Sequence, residues 1–244
     1  MSSKGVLEIL KAQCPTISVG VLTADLMHLG TELDELAGTD VQILHFDVMD
    51  GCFVPMMTVG PPYVRGVKTE LLKDVHLMIE EPIDKLDAYV AAGADIISVH
   101  VESCVHIHRV FQHLASSTNV NDPARGIARG VALNPGTPVS SIEPLLGELD
   151  MVTLVAINPG WGGQAFDPVT FSRVDQVREL AVRAGREVFV GVDGGITKAN
   201  IGEVAACGAD LVVTGSAVFD GKAPADNARY MLKHFRRDQI QEDQ

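Results

Sequence analysis

The chain has 244 residues, 46% hydrophobic and 21% charged, and its 19 basic against 32 acidic side chains leave a formal net charge of −13 with histidines neutral. Such a composition can fill a sizeable core and excludes a chain disordered throughout. Its acidity argues against nucleic acid or an anionic membrane as partner, so any anionic substrate must be met by local compensation.

Eight short β-branched runs alternate with helical patterns: TISVGVL from Thr16, VQILHFDV from Val41, LLKDVHLM from Leu71, DIISVHV from Asp95, GIARGVAL from Gly126, MVTLVAI from Met151, EVFVGVD from Glu187 and DLVVTG from Asp210. Strict alternation predicts a parallel sheet, because parallel neighbours need crossover connections. Every second run is preceded by glycine and then aspartate: Gly38 and Asp40, Gly93 and Asp95, Gly147 and Asp150, Gly208 and Asp210, the aspartates lying 55, 55 and 60 residues apart. The glycine can stop a helix in the left-handed conformation, and the aspartate begins the next strand at the floor of the sheet. Four near-equal quarters, with about 30 residues per strand–helix unit, predict one α/β domain over residues 1–244, a (β/α)8 TIM barrel. The alternative, an open doubly wound sheet, would want a GxGxxG after its first strand, and none is there.

The opening MSSKGVLEILKAQ is amphipathic, and no uninterrupted apolar run is long enough to span a bilayer, so neither a leader nor a membrane helix is expected. Cys14, Cys52, Cys104 and Cys207 stand singly without a CxxC pair, which fits a reduced, cytoplasmic protein. SSTNVNDPARG, from Ser116 to Gly126, reads as a surface insertion on the floor side, and the polar residues 236–244 read as a frayed tail.

Barrel active sites lie where strands end. The second run places Ile43, His45, Asp47 and Met49 on one face, since alternate residues share a face. The third ends in His76 and Met78, the fourth in His100 and Glu102, and the seventh in Asp193. Histidines and carboxylates at neighbouring strand ends can converge on one divalent metal, and imidazole and carboxylate without thiolate suit Zn2+, with Mn2+, Fe2+ or Co2+ compatible. Taken one at a time, each histidine reads more readily as a hydrogen-bonded interior residue, and it is their combination at neighbouring strand ends that favours a metal. Glycines cluster after the last three runs: Asn158 to Gln164 (NPGWGGQ), Gly194-Gly195, and Gly215-Ser216, the last pair opening a short helix in this reading. Backbone N–H groups in such loops can hold a phosphate without lysine.

HFDVMDGCFVPMMTVGPP, DVHLMIEEP, AGADIISVHVES, VALNPGTP, NPGWGGQAF, VDGGI and GADLVVTGSAVF, in this order between Thr16 and Phe219, resemble the ribulose-phosphate 3-epimerase family. The resemblance implies a (β/α)8 barrel that inverts C3 of a phosphorylated ketose, such as D-ribulose 5-phosphate, with one divalent metal. It places His45, Asp47, His76 and Asp193 at metal-ligand positions and Asp47 and Asp193 at the acid/base positions. His76, Gly160, Trp161, Gly162, Gly163, Gly194, Gly195, Gly215 and Ser216 fall on substrate and phosphate segments. Two carboxyl groups suit the chemistry, because inversion beside a ketone takes a proton from one face of a planar enediolate and returns one to the other. His100 and Glu102 are expected to support the ligands by hydrogen bonds.

Several lining positions depart from the family pattern. Gly20 stands where a substrate-facing serine is usual, Cys52 where histidine is usual, Met56 where asparagine is usual, Val155 where methionine is frequent and Trp161 where phenylalanine is usual. Gly20, Cys52, Met56 and Val155 are candidate specificity positions, and a paralogue acting on a tetrulose or hexulose phosphate is an alternative to the ribulose-phosphate enzyme. A lyase on the same barrel is a further alternative, but it would want a lysine near the reacting carbon, whereas Lys73 precedes His76 and Lys198 follows the glycine pair. A non-catalytic sensor would be expected to lose one of the four ligands. Cys52 reads as a small packing residue, and His106, His108 and His113 read as helix-surface residues. A homo-oligomer through barrel faces is left open.

Overall fold

The structure, a computed structural model, describes residues 5–237. Eight strands, β1 (Thr16–Gly20), β2 (Ile43–Met49), β3 (Leu72–Met78), β4 (Ile96–His100), β5 (Ala128–Leu133), β6 (Met151–Val155), β7 (Phe189–Asp193) and β8 (Leu211–Thr214), pair in parallel and in sequence order. β8 returns to β1, with Thr16 opposite Leu211, and closes the barrel. All eight expected strands are present. Residues 238–244, most of the tail expected to fray, lie outside the described residues.

The helices are α1 (Val6–Gln13), α2 (Leu29–Leu36), α3 (Pro61–Gly66), α4 (Leu86–Val90), α5 (Ile107–Ser116), α6 (Val169–Arg183), α7 (Ile201–Ala205) and α8 (Pro224–Arg237). One crossover departs from the helical expectation: between β5 and β6 the chain forms a 3-10 segment, Val139–Leu145, that contains Pro144. Proline lacks the N–H that an α-helix interior requires.

Two apolar layers decide where a polar site can exist. Outward side chains such as Leu44, Phe46, Val75, Ile97 and Val152 pack beneath the helices in the main core. The lower interior is filled by Ile43, Leu72, Ile96, Ala128, Met151 and Leu211, and Val6 and Leu10 of α1 close it from below. The amphipathic opening segment thus seals the floor. The imidazoles and carboxylates of the interior stand above this floor, with Ser18 and Asp74 at mid-strand and His45, Asp47, His76 and Asp193 nearer the mouth.

Three of the four repeated aspartates share one task. Asp95, Asp150 and Asp210 accept the backbone N–H of Lys73, Arg129 and Val190 at 2.9, 2.9 and 2.7 Å, so β4, β6 and β8 are each tied at their start to the strand before. Asp40 differs, since Val41 and Gln42 separate it from β2 and its exposed carboxylate meets Arg236 at 3.4 Å. The insertion read as surface also does more than cover. Asn119 is fully buried and donates to Asp95 Oδ1 at 2.9 Å and to the Gly126 carbonyl at 2.8 Å, while Arg125 meets the same carboxylate at 3.2 Å.

Removing the Asp95 carboxylate strands several buried donors, so Asp95→Ala is expected to cost about 3 to 5 kcal/mol in urea unfolding. Asp40→Ala, on an exposed pair, is expected to cost under about 1 kcal/mol. Equal small losses would contradict the floor clamp.

Candidate active site at the carboxyl ends of the strands

His45 and Asp47 project inward from β2, His76 from β3 and Asp193 from the end of β7. One ligand atom from each of these four residues lies within 4.8 Å of the other three. His45 Nε2 is 3.2 Å from Asp47 Oδ1 and 3.9 Å from Asp193 Oδ2, and His76 Nδ1 is 3.2 Å from Asp193 Oδ2 and 3.7 Å from Asp47 Oδ1. The imidazoles are buried, whereas both carboxylates keep partial exposure toward the barrel mouth. Two imidazoles and two carboxylates converging at this spacing form a donor set suited to one divalent ion.

Each imidazole is held from behind. His45 Nδ1 meets Asp74 Oδ2 at 2.8 Å, and Ser18 donates to that same oxygen at 3.0 Å. His76 Nε2 lies 2.9 Å from His100 Nε2, and His100 Nδ1 lies 3.1 Å from Glu102 Oε2. Glu102, in the 3-10 turn Val101–Ser103, also accepts the Asn134 N–H at 2.8 Å. The loop after β2 is fixed by Asp50, whose carboxylate accepts the N–H groups of Cys52, Phe53 and Glu80 at 2.9, 3.0 and 2.8 Å.

Burial opposes charge on His45, but Asp74 and Asp47 outweigh it and hold the imidazolium well above its ordinary range. Burial opposes charge on His76 as well, yet the hydrogen bond to Asp193 and the nearby Asp47 carboxylate carry it up to about 9. For Asp47 burial acts upward, and His45 and His76 prevail to keep it below the usual carboxylate range. His100 goes the other way: burial pushes it down to about 4 against the pull of Glu102, with His76 adding to the burial effect.

The glycine segments stand around this quartet. Gln164 closes the loop after β6 by donating to the carbonyls of Asn158 and Trp161 at 2.6 and 2.9 Å. Gly194 and Gly195 have φ of +100° and +71°, and a Cβ on Gly195 would lie 2.7 Å from the Phe166 backbone nitrogen, so the turn after β7 requires glycine at both positions. After β8 the chain makes a single turn, with Val218 and Phe219 donating to the Gly215 carbonyl, where a short helix was expected. The N–H groups of Ser216 and Ala217 donate to no acceptor among the described residues.

Against known proteins, residues 16–219 match the model of the ribulose-phosphate 3 epimerase family. The chain belongs to the ribulose-phosphate 3-epimerase family. It is 41% identical over 206 residues to the ribulose-phosphate 3-epimerase of Bacillus subtilis, covering 83% of this chain and 91% of that one. It is 36% identical over 208 residues to the Escherichia coli K12 enzyme of the same name, covering 84% and 88%. Among solved structures, KGPDC from Streptococcus mutans shares the fold at a TM-score of 0.66 and 13% identity, with 92% and 98% of the chains covered. Orotidine 5'-phosphate decarboxylase from Pyrococcus horikoshii does so at 0.61 and 14%, with 91% and 99% covered.

Within this epimerase-family barrel, two of the lining positions singled out in the sequence end strands that carry or adjoin the quartet, and three lie in exposed loops. Gly20 ends β1 opposite His45, and a Cβ there would stand 3.4 Å from Gly215 Cα, in ordinary contact. Val155 is buried at the end of β6 opposite Asp193, while Cys52, Met56 and Trp161 are exposed in loops. Lys73 donates to the carbonyls of Val64 and Ala92, and Lys198 meets Asn227 and Asp220, so neither amine joins the quartet. His106 and His108 stand exposed at the start of α5, and His113 on the same helix pairs with Asp87 at 2.7 Å. The residues that sequence reasoning missed are Asp74 and Ser18. The available signal was alternation, since Asp74 shares a face with His76.

For His76 the folded value near 9 exceeds the ordinary histidine value of about 6.5. The stability it contributes is complete below pH about 6.5 and is lost as pH rises through 9. In the presence of a chelator, the urea midpoint is therefore expected to fall from pH 6.5 to 9, and His76→Gln to lessen that fall. A midpoint that rises over this window would contradict the electrostatics described.

Proposed function

We propose that this chain epimerises a phosphorylated ketose at C3, with D-ribulose 5-phosphate and D-xylulose 5-phosphate as the pair, using Asp47 and Asp193 as the proton-transfer groups. The observation that carries the reading is the convergence of His45, Asp47, His76 and Asp193 within 4.8 Å at the mouth of a family barrel. Asp47, held ionised by its histidine neighbours, suits the base that removes the C3 proton. Asp193 reaches the same space from β7, two intervening strands away round the closed barrel, and suits the acid that returns a proton to the other face of the planar enediolate. The buried imidazoles fix both carboxylates in place before substrate arrives. A divalent ion held by the four side chains, zinc being the first choice for this donor set, would supply Lewis-acid stabilisation of charge developing on substrate oxygens.

The phosphate is assigned to the turns of Gly194-Gly195 and Gly215-Ser216, with Gly160, Trp161, Gly162 and Gly163 of the β6 loop beside them. Support comes from the free N–H groups of Ser216 and Ala217 and from the backbone exposed by the glycines. An acidic protein can then bind an anion through backbone dipoles. Among the described residues no helix is long and apolar enough to cross a membrane, and the four free cysteines accord with a reducing, cytoplasmic setting.

A second reading, preference for a tetrulose or hexulose phosphate, is favoured by the bare Gly20 beside Gly215 and the apolar Val155, which offer no side-chain hydroxyl partner. Comparing kcat/KM across the three sugar lengths separates the two readings. The first expects D-ribulose 5-phosphate to be preferred, and a preferred tetrulose or hexulose phosphate would replace it with the second.

In deuterated water the enzyme is expected to place deuterium at C3 without C–C cleavage or release of carbon dioxide. Asp47→Asn and Asp193→Asn are each expected to lower kcat by about 10²- to 10⁴-fold while the fold is retained. No exchange with any ketose phosphate, or near-full activity in either variant, would overturn the two-carboxylate assignment. Because His76 is charged below about pH 9, zinc uptake at neutral pH is expected to release at least one proton per ion, read by calorimetry in buffers of different ionisation enthalpy. Uptake without proton release would refute this.

A further inference from the structure

We infer that Glu102 and His100 are positioning residues that fix the tautomer of His76, so that Nδ1 of His76 is the nitrogen offered to the metal while its Nε2 carries the hydrogen. The inference rests on reading the quartet as a metal site. It adds a role for two side chains outside the quartet.

A chain of hydrogen bonds runs inward from the loop after β5. A carboxylate only accepts hydrogen bonds. Glu102 uses Oε1 for the Asn134 N–H at 2.8 Å and Oε2 for His100 Nδ1 at 3.1 Å, so His100 Nδ1 is the donor. In a neutral imidazole the other nitrogen is then bare and can only accept. His100 Nε2 faces His76 Nε2 at 2.9 Å, with the ring planes inclined by 12°. That separation is shorter than nearly parallel rings could reach face to face, and it is a hydrogen bond directed along the ring edges. His76 must therefore donate from Nε2. Without metal its Nδ1 also donates, to Asp193 at 3.2 Å, with Asp47 at 3.7 Å, and that second hydrogen is the one a metal would displace.

His45 is built the opposite way. Its Nδ1 is committed to Asp74, and Nε2 faces the quartet. The two imidazoles thus present different nitrogens, each selected by the partner behind it. His100 is fully buried, and the Phe53 ring lies against it with centroids 4.8 Å apart. If the acceptor at His100 were lost, the buried His76 Nε2–H would have no partner, and a half-turn of the ring would put carbon where Nδ1 stands.

The test uses the full chain and zinc as the probe. The dissociation constant is measured by chelator competition, and the ring nitrogens are assigned by 15N NMR of the zinc-loaded wild type. Expected are a protonated Nε2 and a metal-bound Nδ1 on His76. His100→Leu should weaken zinc binding about 10- to 100-fold. His100→Gln, whose Oε1 can accept at the place of Nε2, should recover most of that loss. A metal-bound Nε2 on His76, a His100→Leu affinity equal to wild type, or a His100→Gln protein as weak as His100→Leu would each overturn the inference alone. A wild-type protein that takes up no zinc would overturn the metal reading and this inference with it. The wild-type spectrum decides the tautomer even if His100→Leu does not fold.

Discussion

Asp47 and Asp193 hold carboxylate oxygens in a space less than 5 Å across, and two buried imidazoles share that space with them. Like charges at such a distance repel strongly unless cations stand between them. The alternation of His45, Asp47, His76 and Asp193 supplies that separation, and every nearby element helps to hold it. β2 contributes two members because residues two apart share an inward face, β3 and β7 contribute one each, and Asp74 and His100 keep the rings from turning. The apolar floor sealed by α1 leaves the polar cluster only the upper end of the barrel.

The same constraint explains how a chain with a net charge of −13 can serve an anionic substrate. Thirteen excess acids do not describe the field at the site. The quartet balances its carboxylates with imidazoles, and on the proposed reading a divalent ion adds further positive charge. On the same reading the phosphate would be met by backbone N–H groups that a tally of residue charges does not count. Lys73 and Lys198, the lysines nearest in sequence to the site segments, are occupied elsewhere.

All eight strands were legible because each is a β-branched apolar run between helical patterns, and the spacing of the repeated aspartates marked the closed barrel. The quartet was legible for a simpler reason: His45, Asp47, His76 and Asp193 end otherwise apolar strand faces, and the family motifs contain them. Asp74 was not legible as the partner of His45. The pairing depends on the register of β2 against β3, which places His45 opposite Asp74, and register is a property of the closed sheet. Asn119 was hidden likewise, since a polar residue in a long irregular segment gives no local sign that it is buried under the barrel floor. The turn after β8 and the 3-10 crossover before β6 show the limit of local patterns where proline or a two-residue glycine–serine signal stands in for a full helix start.

On the proposed reading these four side chains form one metal centre. Anomalous diffraction at the zinc edge, from crystals of the protein purified with zinc, tests it most directly. The account predicts a single strong peak about 2.0 to 2.2 Å from His45 Nε2, His76 Nδ1 and one oxygen each of Asp47 and Asp193. A quartet without a peak, or zinc bound at another place with these side chains hydrogen-bonded to one another as before, would contradict it.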